Sequence, residues 1–187
     1  YYLGVVDGFV YMSEQVHSEL RAYSDAPALF SPHPLFENFG ERVERSEACV
    51  RLGLDPANRY VLFFGLIRDY KGLDLLLDAW AQLRRAGRTE GRRLIVAGEF
   101  YTAREPYLNR IADNGLQDEV LLHDRFIPDD DVKYYFSAAD FVVQPYKTAT
   151  QSGVTQIAYQ FCVPMVVTKV GGLAEICLLY TSPSPRD

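Results

Sequence analysis

The sequence predicts an α/β fold: a doubly wound, parallel, Rossmann-like sheet with helices on both faces. Three observations carry the prediction. Residues 59–83, RYVLFFGLIRDYKGLDLLLDAWAQL, read as a strand, a glycine turn and an amphipathic helix in direct succession. Tyr60 to Ile67 is an almost unbroken run of β-branched and aromatic residues, the pattern of a strand covered on both faces. Strand and helix patterns then alternate with short connections, which favours a parallel sheet with right-handed crossovers.

Taken in order, Val5 to Met12 is a short apolar run, and Ser13 before EQVHSEL is a capped helix start. Ala28 to Phe30 is a short strand. SPHPLFENFG, residues 31–40, is a connector, because each proline forces its neighbour into extended backbone. Glu41 to Leu52 is a helix ending at Gly53. Leu73, Leu76, Leu77, Trp80 and Leu83 form one apolar stripe on the helix Leu73 to Arg85. Arg93 to Ala97 is the next strand, and Arg104 to Asn114 a helix stopped by Gly115. Val120 to His123 is a strand. Pro128 and three aspartates open a helix to Ala138, proline and acids both suiting a helix N-terminus. Phe141 to Gln144 is a strand, Val154 to Phe161 a helix, Met165 to Thr168 a strand, and Gly171 and Gly172 a final turn. The divisions are therefore the end of one domain in residues 1–30, a linker in 31–42 and an α/β domain in 43–176. Residues 177–187, CLLYTSPSPRD, break the helix expected after Glu175 and read as a non-native tail.

Composition narrows the function. The 187 residues are 48% hydrophobic and 24% charged, ordinary for a water-exposed globular domain. The net charge of -6 gives no general attraction to nucleic acid or anionic lipid, so a phosphate ligand needs local cations. No apolar run approaches the roughly 20 residues that span a bilayer. Cys49, Cys162 and Cys177 are widely spaced and odd in number, as in reduced thiols of a cytoplasmic protein. His17, His33 and His123 are scattered, and no metal site is expected.

Three segments after strands carry candidate chemistry. Gly65 to Gly72 holds Arg68 and Lys71, a fixed guanidinium and a mobile ammonium suited to a phosphate or diphosphate. The alternative is that both cations merely solvate a loop. TATQSGV, residues 148–154, presents backbone N–H groups at a helix N-terminus, a natural anion site, or else is an ordinary capped helix start. KVGGLAE, residues 169–175, allows close backbone approach, and Glu175 could accept hydrogen bonds from sugar hydroxyls. Its alternative is an acid in the first turn of a helix. No Ser-His-Asp set, HExxH, CxxC or Walker A pattern is present.

Together these segments resemble the C-terminal, donor-binding domain of the family 4 glycosyltransferases, which have the two-domain GT-B fold. The matching stretches are GLIRDYKGLDLLLDA (65–79), VAGE (96–99), FIPDDDVKYYFSAADFVVQP (126–145), SGVTQIAYQF (152–161), PMVVT (164–168) and VGGLAE (170–175). VDGFVYMS (6–13) looks like the end of that family's N-terminal, acceptor domain. The resemblance implies a nucleotide-sugar donor and transfer with retention to a glycan, lipid or small-molecule acceptor. It implies that Arg68 and Lys71 bind the donor diphosphate and stabilise the leaving nucleotide, with no metal. Gln151, Ser152, Gly153 and Val154 correspond to the helix start that meets donor phosphate and sugar. Gly65 and Glu175 also fall in the donor site, and Phe126 and Ile127 match the edge touching the nucleobase, through backbone groups. Peripheral membrane contact would belong to the acceptor domain, and without that domain the chain should bind nucleotide and not turn over.

One departure stands out. The family usually has two glutamates eight residues apart here, and aligned on Pro164 those positions fall near Ala149 and Ile157. Gln151 and Gln156 are nearby but not equivalent, which leaves donor-sugar and ribose recognition open and suggests a divergent subgroup. Two rivals share the architecture: a nucleotide-sugar epimerase or phosphorylase, and a non-catalytic nucleotide-binding module.

Overall fold

A computed structural model describes residues 3 and 5–173. The first unit is small: β1 (Phe9–Tyr11) and β2 (Ala28–Phe30) pair in parallel around α1 (Glu14–Arg21). Ser13 caps α1 by accepting a hydrogen bond from the Val16 N–H.

The main unit alternates strand and helix: α2 (Arg45–Leu52), β3 (Arg59–Phe64), α3 (Leu73–Arg85), β4 (Arg92–Ala97), α4 (Glu105–Asp113), β5 (Val120–His123), α5 (Asp129–Ala138), β6 (Phe141–Gln144), α6 (Gly153–Gln160) and β7 (Met165–Val167). Its five strands are all parallel in the order β5-β4-β3-β6-β7. Starting from β3 the chain moves outward to β5, then crosses back to β6 on the other side. The order therefore reverses between β3 and β6, and the loops leaving their carboxyl ends flank one crevice. In open α/β sheets that is where ligands bind.

Both faces of the sheet are covered. Tyr60 and Leu62 pack with α2, α5 and α6 through Cys49, Tyr135, Phe136, Ile157 and Phe161. Val61 and Phe63, alternating with them on the same strand, pack with α3 and α4 through Leu77, Trp80 and Ile111. That is why the β3 run is continuous rather than alternating. The connector 31–44 has no helix or strand, yet Phe36, Phe39 and Val43 pack against the first of these clusters.

Two boundaries differ from the sequence reading by three residues or more. α2 begins at Arg45 rather than Glu41, because tertiary bonds hold the preceding residues extended. The Arg42 guanidinium donates to the Phe161 carbonyl at 3.3 Å and the Val43 N–H to Ser137 Oγ at 3.1 Å. β3 stops at Phe64, three residues before Ile67, because Gly65 turns to φ +95°. Ile67 remains fully buried and forms an isolated bridge with Phe100. Residues 171–173 are helical, so Gly171 and Gly172 open a helix rather than only a turn. Glu175, Cys177 and the tail 177–187 lie outside the described residues.

At the amino ends of the strands, Asp140 accepts the Tyr60 N–H at 2.7 Å and pairs with Arg45 and Arg59, each at 3.4 Å. Asp140→Ala leaves that N–H without its partner, so a loss of about 1–3 kcal/mol is expected in a denaturant melt. No helix among the described residues is long and apolar enough to cross a membrane.

Candidate functional site

The first loop of the crevice is Gly65 to Gly72. After a bend at Gly65 and Leu66 the chain bridges to Phe100 at Ile67, is extended at Arg68, makes a 3-10 turn over Asp69–Lys71, and enters α3 at Gly72, φ +71°. Lys71 points inward. Only 9% of it is exposed, and its Nζ lies 5.6 Å from the centre of the Tyr146 ring. A Cβ on Gly65 would stand 3.1 Å from that Nζ, so glycine leaves room for the ammonium. Burial pushes the Lys71 pKa down from 10.5 to about 8, with repulsion from Arg68 adding to it. None of the ion pairs among the described residues includes Lys71. A desolvated ammonium with no carboxylate partner among the described residues weakens the fold, and such groups concentrate at functional sites.

Arg68 is exposed, its guanidinium 5.2 Å from the centre of the Tyr101 ring. Asp69 stands between the two cations in sequence but is engaged elsewhere. Its carboxylate accepts from Thr102 Oγ1 at 2.9 Å and from the Tyr107 hydroxyl at 3.1 Å. Burial, then this hydrogen bond to Asp69, pushes the Tyr107 phenol up to about 12.

The second loop joins β6 to α6 and is fastened to the first. The Lys147 N–H donates to the Tyr70 carbonyl at 2.7 Å, Tyr70 meets Tyr146 edge-on, and Lys147 Nζ pairs with Asp74 at 2.8 Å. A Cβ on Gly72 would run into the Pro145 carbonyl oxygen. Ser152 holds the N-cap position of α6, but its side chain makes no cap bond. Its buried hydroxyl instead donates to Gln144 Oε1 at 2.7 Å and lies 3.3 Å from the Tyr146 hydroxyl. This excludes the ordinary side-chain-capped start and leaves the first N–H groups of α6 without a side-chain cap. Val154 Cγ2 would lie 3.4 Å from a Cβ on Gly65, so α6 begins against the glycine turn and beside Lys71.

The third segment closes on the second. Gly171 and Gly172 come so near the Ala149 and Thr150 carbonyls, and Gln15 and Ser13 of the first unit, that no Cβ fits at either position. The structure thus brings Gly65, Lys71, Ser152, Gly153 and Val154 together, with Arg68 at the rim and Gln151 half-buried nearby. Phe126 and Ile127 follow β5, two strands from β3. Phe126 is 66% exposed, and the Ile127 side chain is buried in the core, leaving only its backbone to meet a ligand. Ile157 is core as well, while Gln156 is 2% exposed with an unpartnered Oε1.

Sequence reasoning missed Gln144, Tyr146, Tyr101 and Gly98. A glutamine and a tyrosine straddling Pro145 at the end of an apolar strand were the available signal for the first two. Gly98 packs its Cα face onto the Gly65 carbonyl. A 640 Å³ cavity lined by Arg59, Arg92, Asp140, Phe141, Pro164 and Met165 lies at the amino ends of the strands, the opposite edge from this crevice. Among the described residues, no three His, Cys, Asp or Glu side chains cluster closely enough to hold a metal ion.

A parallel sheet whose order reverses at a crevice, with a buried cation and a helix N-terminus converging there, is a doubly wound, Rossmann-like α/β domain. The family model "Glycosyl transferases group 1" matches residues 58–179, and the chain belongs to that family. Among curated relatives, the D-inositol 3-phosphate glycosyltransferase of Segniliparus rotundus is 36% identical over 134 residues, covering 70% of this chain and 29% of that protein. The lipopolysaccharide core biosynthesis mannosyltransferase LpsB of Rhizobium meliloti is 32% identical over 168 residues, covering 83% and 44%. The chain thus spans under half the length of these relatives. Among solved structures, sucrose-phosphate synthase from Thermosynechococcus elongatus superposes with a TM-score of 0.78 at 22% identity, covering 91% of this chain and 42% of that one. Anabaena HepE, in complex with UDP and glucose, gives 0.72 at 20% identity, covering 93% and 47%. These two likenesses establish the GT-B type of fold.

Proposed function

We propose that this chain supplies the donor-binding half of a retaining, hexosyl-type glycosyltransferase acting in the cytoplasm. Its ligand is a nucleoside diphosphate sugar. The observation that carries the reading is Lys71, a buried ammonium with no carboxylate partner among the described residues, set against the uncapped start of α6. A diphosphate supplies the missing counter-charge: Lys71 meets it from within, Arg68 from the rim, and the N–H groups of Gly153 and Val154 from the helix end. As the glycosidic C–O bond breaks, negative charge grows on the leaving diphosphate, and the same fixed cations stabilise it. Gly65 gives the ligand close access to the backbone, with Gln151 toward the sugar and Phe126 and Ile127 toward the base. The solved complexes of HepE with UDP and with UDP-glucose support a uridine nucleotide as the first probe.

Calorimetric titration of UDP into the wild-type chain and into the Arg68→Ala, Lys71→Ala double variant tests this. Each charged hydrogen bond contributes about 1.5–3 kcal/mol, so the double variant is expected to bind at least a hundredfold more weakly. Unchanged affinity would contradict the reading. The pH dependence has a definite sign. Lys71 carries its charge below about 8, so UDP affinity is expected to hold at pH 7 and to fall as pH rises above 8. Incubated with UDP-sugars and acceptors, the chain by itself is expected to bind without transferring sugar.

A further inference from the structure

We propose that Tyr146 is the positioning residue of this site, its ring holding the Lys71 ammonium and its hydroxyl holding Ser152, so that one side chain aligns the cation with the start of α6. The proposal rests on the diphosphate reading of the site. Tyr146 is 3% exposed and sits between the two loops. Lys71 Nζ is 5.6 Å from its ring centre, within range for a cation held by the electron-rich face of an aromatic ring. Its hydroxyl is 3.3 Å from Ser152 Oγ, the N-cap residue of α6.

The ring itself has little freedom. Tyr70 packs edge-on against it at 6.0 Å, and the next residue, Lys147, is bonded through its N–H to the Tyr70 carbonyl. Thr168 Oγ1 donates to the Tyr146 carbonyl at 2.6 Å, tying the same residue to the end of β7. Ser152, in turn, is fixed by Gln144, whose amide donates to Thr155 Oγ1 at 3.1 Å inside α6. Burial pushes the phenol up to about 12, so Tyr146 meets Lys71 as a neutral ring throughout the range in which the lysine titrates. Among the described residues, the other groups facing the ammonium are Arg68 on its own loop, Gly65 at the end of β3 and Val154 on α6, and of these only Arg68 is charged. The ring is therefore what stabilises the charged lysine before any ligand arrives. A diphosphate then meets an ammonium already placed beside the helix end rather than one that must be ordered on binding.

The test follows the Lys71 side chain by carbon-13 NMR of labelled lysines during a pH titration of the ligand-free chain, with Lys71→Met identifying the signal. UDP affinity is measured alongside. Removing the ring in Tyr146→Leu is expected to lower the Lys71 midpoint by about half to one pH unit. UDP affinity at pH 7.5 should fall roughly tenfold. Tyr146→Phe keeps the ring and is expected to keep the midpoint, while UDP binding weakens about threefold through the lost Ser152 contact. This milder variant preserves the test if the leucine variant folds poorly. A Lys71 midpoint equal in wild type and Tyr146→Leu, or shifted equally by the phenylalanine, would overturn the proposal while leaving the diphosphate site standing. If Lys71→Met itself leaves UDP affinity unchanged, the diphosphate reading fails and the proposal fails with it.

Discussion

Lys71→Met is expected to make the protein harder to unfold and to weaken diphosphate binding by about ten- to a hundredfold. The two effects have one cause. Burial holds the Lys71 pKa near 8 against 10.5 in water, a difference worth about 3 kcal/mol of native stability at neutral pH. The sign follows from proton binding: between those two values the unfolded chain holds a proton that the native chain has released, so stability rises as pH climbs from about 8 toward 10.5. Below 8 the penalty is fully present. Methionine fills similar volume without a charge and removes the penalty, while the contact with the Tyr146 ring, about 1 kcal/mol, is lost. The net gain of about 2 kcal/mol corresponds to a rise in Tm of roughly 4–8 °C for a chain of this size. Thermal melts at pH 7 and pH 9.5 check it: the advantage of the variant should shrink at the higher pH. Equal melting points at both values would mean that Lys71 is solvated. Such a trade between stability and binding is common where a site keeps an unpaired charge.

The second large effect is expected at Gly72. Alanine there must adopt φ +71°, and its Cβ would run into the Pro145 carbonyl oxygen. A left-handed non-glycine residue costs about 1 kcal/mol, and forcing the two loops apart a further 1–3 kcal/mol. Gly72→Ala should therefore lower Tm by roughly 4–16 °C and weaken UDP binding, because the displaced loop carries Lys71. Gly87→Ala is the matched control. Its φ is similar, +67°, but nothing lies within 4 Å of the new methyl, so only the backbone term of about 1 kcal/mol is expected. Equal losses at the two positions would show that the contact between the loops contributes nothing.

Much of the fold was legible because its punctuation is local. Val120–His123, Phe141–Gln144, Ala28–Phe30 and Leu73–Arg85 have the bounds that their apolar patterns and flanking glycines and prolines suggested. The errors arose where distant residues decide. Arg42 and Val43 are drawn out of a helical pattern by Phe161 and Ser137, more than ninety positions away. The three candidate loops were recognisable one at a time from glycines, cations and hydroxyl residues. That two of them share a crevice depends on β6 lying next to β3, a pairing between strands far apart in sequence that no local pattern encodes. The burial of Lys71 was equally hidden, since a lysine in a glycine turn reads as solvated until Tyr146 and Val154 close over it. Ser152 shows the reverse. It read as a residue facing ligand, yet its hydroxyl is spent on Gln144 inside the protein.

The most direct test of the donor-site account is to map UDP onto the isotope-labelled chain by amide chemical-shift changes. The account predicts that the largest shifts fall in residues 65–72 and 151–154, and that they vanish in the Arg68→Ala, Lys71→Ala variant. Shifts concentrated around Arg59, Arg92 and Asp140 at the other end of the strands, or a pattern unchanged in the variant, would contradict it.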